Sequence, residues 1–163
     1  MKKHNLFGLV FCLLTSIAIS QTKTISLSKV KIGTLDCRYV KEKNLEYGDS
    51  TYTIDISFKN MKYKSIVDWK TIVLFDSEWQ NEFKTKLISA ASQMNQNQTI
   101  KWDEGGYSFW LTEGVKGLVI GQYSGDEFAY TLINKIDADK LVNWLTSIDF
   151  GKDKLIKTSI QKK

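Results

Sequence analysis

Carboxylates near predicted turns are the residues of this chain whose type suits general acid and base catalysis. The candidates are Asp103, Glu104, Glu113, Asp126 and Glu127. A glycosidase needs two carboxylates on opposite sides of a cleft, one acting as the acid and the other as base or nucleophile. Acids in turns are more commonly solvated, and their spacing does not place any two across a cleft. We therefore predict no catalytic residue and keep a histidine-free, carboxylate-dependent glycan hydrolase as an alternative function.

Histidine and cysteine, which serve many other catalytic and metal sites, are nearly absent. His4 and Cys12 lie in the predicted leader, so Cys37 is the thiol that remains after export. The exported chain then has no Ser-His or Cys-His pair and lacks the commonest zinc ligand. Cys37 cannot form an intramolecular disulfide, and we expect it to be buried. We predict no metal and no cofactor. Four glycines, Gly114, Gly117, Gly121 and Gly125, flank or interrupt a predicted strand and do not open a helix, so they do not indicate a phosphate-binding loop.

Residues 1–20 have the three parts of a secretory signal peptide. A basic start is followed by an apolar run over residues 6–14 and by small residues, Ala18 and Ser20, before the expected cut. The apolar segment is shorter than the roughly 20 residues of a spanning helix. Cys12 lies inside the apolar run and not directly after the cut, so no lipid anchor is expected. We predict a secreted or periplasmic protein with no stable membrane insertion after cleavage.

Cleavage would leave 143 of the 163 residues, which suits one domain over residues 21–151 and a lysine-rich tail over 152–163. This exported part has 21 lysines and arginines against 18 acids, a net charge of +3. Arg38 is the only arginine, whereas surfaces that clamp phosphates or read bases usually use the guanidinium fork. The sequence therefore indicates no nucleic-acid partner.

The first half of the chain shows strand patterns followed by a helix pattern. Residues 24–40 alternate loosely and predict one or two strands, residues 52–58 alternate strictly and predict a half-buried antiparallel strand, and residues 65–75 predict an interior strand. Apolar residues then recur at three- and four-residue steps, which predicts a helix with a capping box formed by Ser77 and Gln80. The apolar stripe of that helix comprises Trp79, Phe83, Leu87, Ala90, Ala91 and Met94.

The second half repeats this order. Residues 99–102 and 107–112 predict one hairpin, and residues 115–123 and 127–133 predict another with its tip at 124–126. Asp137 can then cap a helix with Leu141, Trp144, Leu145 and Ile148 on one face, ended by Gly151. The predicted fold is an α+β two-layer sandwich, a mainly antiparallel sheet with two helices on one face, in the order strands, helix, strands, helix. A duplicated βββα unit is one interpretation of this order.

The aromatic hairpin around Trp110 is the predicted contact site. If Tyr107 faces the helices, strand alternation sends Ser108 and Trp110 to the opposite face, where an exposed indole could stack on a sugar or anchor a protein. The other interpretation is that this face is covered, or that the alternation is shifted by one residue. The predicted ligand or partner contacts are Trp110, Trp102, Tyr107, Tyr123 and Tyr130.

Export, the missing histidine and the aromatic residues together favour a non-enzymatic binding or interaction module. Its predicted partner is an extracytoplasmic protein or glycan. Besides the glycan hydrolase, a second alternative is a subunit of an envelope assembly that pairs through an exposed edge strand. The sequence does not decide between the binding or interaction module and the subunit of an envelope assembly.

Overall fold

The computed structural model describes residues 22–94, 100–104, 107–111 and 117–153, with residues 100–104 and 107–111 described by their backbone and by the side chain of Ser108. The predicted signal peptide lies outside the described residues. The elements, in chain order, are β1 (Thr22–Ile32), β2 (Leu35–Asn44), β3 (Ser50–Lys59), β4 (Trp69–Leu74), α1 (Ser77–Gln93), β5 (Ile100–Glu104), β6 (Tyr107–Leu111), β7 (Leu118–Ser124), β8 (Glu127–Ile133) and α2 (Lys135–Ser147).

Within the residues that the structure describes, two four-stranded antiparallel sheets form the fold, each with its strands in sequence order and each followed by a helix. The α+β prediction and the order strands, helix, strands, helix are confirmed. The repeated unit has four strands, one more than the βββα unit considered from the sequence. The extra strand arises because the chain turns back at Gly33, which adopts a positive φ of 55°, so that residues 24–40 form parts of two strands.

The first sheet follows its hydrophobic alternation closely. In β3, Ile54, Ile56 and Phe58 are buried, as expected for a half-buried strand, while Asp55 and Ser57 between them are partly exposed. The prediction of an interior strand over residues 65–75 is wrong, because β4 lies at the end of its sheet and Phe75 beyond it is 61% exposed. The apolar residues of β4 lie on two different faces: Ile72 and Leu74 face the core, whereas Trp69 is exposed.

Helix α1 begins one residue away from the predicted cap. The Asp76 side chain accepts a hydrogen bond from the Trp79 backbone N–H at 2.8 Å, so Asp76 and not Ser77 is the N-cap. Gln80 does not close a capping box; its Nε2 donates to the carbonyl oxygens of Leu74 (2.9 Å) and Tyr52 (3.1 Å), and the residue is buried. The predicted stripe is confirmed at Phe83, Leu87, Ala90 and Ala91, which are buried, and Met94 is partly buried. It is wrong at Trp79, which is 39% exposed in the first turn of the helix.

Helix α2 also begins earlier than expected. Asn134 is its N-cap, and its Oδ1 accepts from the Asp137 backbone N–H at 2.9 Å, so Asp137 lies in the first turn and is not the cap. The helix ends at Ser147, before the predicted stop at Gly151. Its predicted apolar face is confirmed, since the residues buried against the core include Leu141, Trp144, Leu145 and Ile148.

The two helices contact each other, α1 contacts β4 and β6, and α2 contacts β1. Buried residues from both halves form one hydrophobic cluster. At the start of the predicted tail, the Tyr39 hydroxyl donates to the Lys152 carbonyl at 3.1 Å, and Asp153 accepts from Lys41 and Tyr52, each at 2.9 Å. Residues 154–163 lie outside the described part. No helix among the described residues is long and apolar enough to cross a membrane.

Candidate functional site

The aromatic hairpin exists, and its backbone register is defined. Trp102 pairs with Phe109, Tyr107 pairs with Glu104 and Gln122, and Trp110 pairs with Lys101 and Val119. The side chains of Trp102, Tyr107 and Trp110 lie outside what the structure describes, so their exposure and their role as contacts stay predictions.

Tyr123 and Tyr130, the other two predicted contacts, belong to one aromatic row on β7 and β8. The ring of Phe128 lies between them, 4.6 Å from the Tyr123 ring and stacked 5.9 Å from the Tyr130 ring. Phe128 also covers Gly121, where an added Cβ would lie 2.0 Å from the ring. Ser108 pairs with Gly121 and is fully buried, so this face of the second sheet is closed at that point. The expectation of an open face is therefore wrong at Ser108.

The connection between β3 and β4 joins the two halves of the protein along the edge of β8. The Asn60 Oδ1 accepts from the Tyr130 backbone N–H at 3.3 Å, and the Met61 N–H donates to the Tyr130 carbonyl at 2.8 Å. The Leu132 N–H donates to the Met61 sulfur at 3.3 Å. Asn60 is 2% exposed and Thr131 is fully buried, so the chain segments on both sides of this junction are held firmly.

A cleft of about 350 Å³ opens beside this junction. Its surface is mostly apolar, and it is lined by Thr34, Lys59, Asn60, Met61, Tyr63, Lys64 and Thr131. The hydroxyls of Thr34 and Thr131 share one hydrogen bond of 3.0 Å, which leaves one O–H of the pair able to donate to a ligand. The cleft thus combines a mostly apolar surface with a hydroxyl pair, and two of its lining residues are lysines.

The charges around the cleft are positive. Lys59 and Lys64 line it, whereas the nearby carboxylate of Asp68 is held by other groups. Asp68 Oδ2 accepts from the Asn60 amide at 2.9 Å, and Oδ1 lies 3.5 Å from the Lys70 ammonium. The hydrogen bond from Asn60, followed by the charge of Lys70, lowers the pKa of Asp68 below its ordinary value. The Lys70 ammonium is the counter-ion of this acid.

Carboxylates also gather on the outer face of the first sheet. Arg38 pairs with Asp55 across β2 and β3, and its Nε lies 3.7 Å from the Asp36 carboxylate. Burial raises the pKa of Asp55, against the opposing effects of a hydrogen bond from Thr53 and the charge of Arg38. A carboxyl group with a raised pKa is of the kind that can serve as a proton donor.

The acids singled out from the sequence lie elsewhere. Asp126 and Glu127 are exposed at the tip of the β7–β8 hairpin, as expected for solvated turn residues. The side chains of Asp103 and Glu104, and all of Glu113, fall outside the described part of the chain. Those acids therefore remain untested as catalytic candidates.

Cys37 is buried in the core, as predicted. Burial, together with the neighbouring Asp36 charge, raises the pKa of its thiol to about 12, so the sulfur is protonated at neutral pH and is a poor nucleophile. Within the residues that the structure describes, no group of three or more histidine, cysteine, aspartate or glutamate side chains is placed to hold a metal ion.

The sheet edges bear on the proposed pairing with an assembly partner. The edge of β8 is occupied at Tyr130 and Leu132 by the Asn60–Met61 segment. Strand β1 lies at the end of the first sheet, is 11 residues long, and has a register irregularity between Ser26 and Ser28. A bulge of this kind hinders continuous pairing with another strand. The edge-strand assembly remains a prediction.

The cleft could not be predicted from the sequence, because residues 60–64 lie between two predicted strands and show no periodic pattern. The segment from Lys59 to Lys64 alternates lysines with asparagine, methionine and tyrosine, and this mixture of basic and apolar residues was the available signal. Thr34 and Thr131, which are 97 positions apart, had no signal that would bring them together.

Comparisons with known proteins add no family. A scan against protein-family models finds no match, and a search of curated proteins finds none.

Proposed function

We propose that this is an exported, non-enzymatic binding protein that takes a small anionic amphiphile in the cleft beside the β3–β4 connection. The observation that carries the proposal is the cleft itself, which places two lysines at the edge of a mostly apolar surface where the two halves of the protein meet. Small-molecule sites favour such junctions, and about 300–1,000 Å³ is their common size.

The polar groups of the cleft define the charge of the ligand. The ammonium groups of Lys59 and Lys64 favour a carboxylate, sulfonate or phosphate head group, and a Thr34 or Thr131 hydroxyl can add one hydrogen bond. The side-chain amide of Asn60 is already hydrogen-bonded to Asp68, Lys62 and Tyr130, so its role is to fix the lining of the cleft and not to contact the ligand. Met61 and Tyr63 supply the surface for an apolar tail.

The test is calorimetric titration with three probes that each have a ten-carbon chain: decanoate, decanol and decyltrimethylammonium. We expect saturable binding of decanoate, weaker binding of decanol and none of the cation. Replacing Lys59 and Lys64 together by glutamine should weaken decanoate binding at least tenfold, since a charge-assisted hydrogen bond contributes about 1.5–3 kcal/mol. The matched control replaces Lys23 and Lys43, two exposed lysines on β1 and β2, by glutamine. Equal binding of all three probes, or equal loss in the control, would overturn the proposal.

A carboxylate-dependent glycan hydrolase is the second candidate function, and the observation that favours it is the raised pKa of the partly exposed Asp55 on the outer face of the first sheet. Asp55 would act as the proton donor. Turnover of cell-wall glycan fragments that is lost on Asp55→Asn or Asp103→Asn would support this function and defeat the non-enzymatic proposal. Absence of turnover in the wild-type protein would rule out the glycan hydrolase function.

A further inference from the structure

The β3–β4 connection carries apolar side chains that stand in solvent. Met61 is 49% exposed, Ile66 61%, Val67 68%, and Trp69, the first residue of β4, 55%. Four large apolar side chains within nine residues are unusual on a surface that contacts only water. Two of them, Ile66 and Val67, are adjacent and exposed, and we call this pair the apolar tip of the connection.

Lysines surround these apolar residues. Lys59, Lys62, Lys64 and Lys70 lie on the connection or at the strand ends that it joins, and Asp68 is the single acid of the segment. Asp68 is bound to Asn60 and Lys70, which leaves the exposed Lys59, Lys62 and Lys64 as the excess positive charge of the segment. The segment therefore presents a net positive charge around an apolar tip.

The base of the connection is closed by hydrogen bonds. The Asn60 N–H donates to the Asp68 carbonyl at 2.8 Å, and the Asn60 amide donates to the Asp68 carboxylate at 2.9 Å. The Lys62 ammonium lies 5.4 Å from the centre of the Tyr63 ring, within the range of a cation–π contact. The hydrogen bonds hold the two ends of the connection together, which reduces the entropy that docking would cost.

We propose that the β3–β4 connection docks the protein reversibly on an anionic phospholipid surface. Ile66 and Val67 would enter the boundary between head groups and acyl chains, Trp69 would lie at the head-group level, and the lysines would contact lipid phosphates. Charge complementarity selects this partner, because exposed apolar side chains with lysines before and after them in the chain match a surface that is anionic outside and apolar beneath. The apolar tip is separate from the cleft, since neither Ile66 nor Val67 lines it, whereas Lys59 and Lys64 take part in both proposals.

Co-sedimentation with lipid vesicles tests the proposal, using protein recovered from the periplasm or medium of expressing cells. We expect binding to vesicles that contain phosphatidylglycerol, weak binding to phosphatidylcholine alone, and a decrease as salt is raised. The double variant Ile66→Asp, Val67→Asp should lose at least ten-fold in affinity. The control is Leu45→Asp, Tyr47→Asp in the β2–β3 turn, whose side chains are similarly exposed and which should bind as the wild type does.

The contribution of charge is tested by Lys62→Gln, which should reduce binding about fivefold at low salt. Circular dichroism of each variant checks that the fold is intact, which is expected because the changed side chains are exposed. Equal binding to both kinds of vesicle, or an unchanged double variant, would overturn the proposal. So would a concentration-dependent mass that only the Ile66, Val67 variant loses, since the tip would then bind a second copy of the chain.

Discussion

Asn60 and Tyr130 connect the two halves of the protein: the Asn60 Oδ1 accepts from the Tyr130 backbone N–H at 3.3 Å and from the Lys62 N–H at 3.0 Å. The Asn60 amide group donates to Asp68. One buried side chain thus fixes the edge of β8, the first turn of the β3–β4 connection and the strand end opposite it. Both proposals depend on this junction, because it shapes the cleft and supports the apolar tip.

Asn60→Ala should lower the free energy of unfolding by about 2–3 kcal/mol, because it leaves buried N–H groups without an acceptor. The control is Asn44→Ala: Asn44 also accepts two backbone hydrogen bonds, from Glu46 and Tyr47, but in an exposed turn. That variant should lose less than about 1 kcal/mol. Urea unfolding measures both, and equal losses would contradict the assigned role of Asn60.

Gly121→Ala should destabilise the protein because the new methyl group would overlap the Phe128 ring, with 2.0 Å between the added Cβ and the ring Cζ. Overpacking of this kind costs about 1–3 kcal/mol. In the double variant Gly121→Ala, Phe128→Ala, the cost of the added methyl should fall, which a double-mutant cycle in urea detects. Strict additivity of the two losses would show that the ring does not occupy this position.

The thiol of Cys37 should not react with a disulfide reagent at neutral pH until the protein unfolds, because burial raises its pKa to about 12. The measurement uses a chain in which Cys12 is replaced by serine, with and without denaturant. Cys37→Ala should keep the fold. Rapid labelling of the native protein would contradict the buried position.

Asp153 should contribute to stability near neutral pH and lose that contribution in acid. Hydrogen bonds from Lys41 and Tyr52 lower its pKa below the ordinary value of 3.8, so the contribution is present above that value and disappears as the pH falls through the folded-state pKa. Wild type should unfold at higher urea than Asp153→Asn at neutral pH, and the difference should shrink below pH 3.8. A difference that is constant with pH would argue against this ion pair.

The sequence predicted the elements better than it predicted their ends and their meeting points. The alternation of Ile54, Ile56 and Phe58 and the stripe through Phe83 and Leu87 report burial directly, because one face of each element must enter the core. The helix caps were predicted at the wrong residues. Asp76 lies one residue before Ser77, and Asn134 lies three residues before Asp137.

The candidate site was harder to predict for a physical reason. The cleft forms where a turn, a strand end and a strand of the other half meet, and such contacts leave no periodic pattern in the sequence. The chosen aromatic residues were visible because of their type, yet Phe128, which joins Tyr123 and Tyr130 into a row, was recognised only from the structure. Exposed Ile66 and Val67 were interpreted as part of a strand, because β-branched residues favour strands.

The most direct test of the proposed binding function is a titration with decanoate followed by the NMR signals of methyl groups. The account predicts saturable shifts at the methyl groups of Thr34, Met61 and Thr131, which line the cleft, and none at Thr85, which is exposed on α1. When Lys59 and Lys64 are replaced by glutamine, the shifts should need at least tenfold more decanoate to saturate. Shifts that spare these three residues, or that saturate at the same decanoate concentration in the double variant, would contradict the assignment of the cleft as the ligand site.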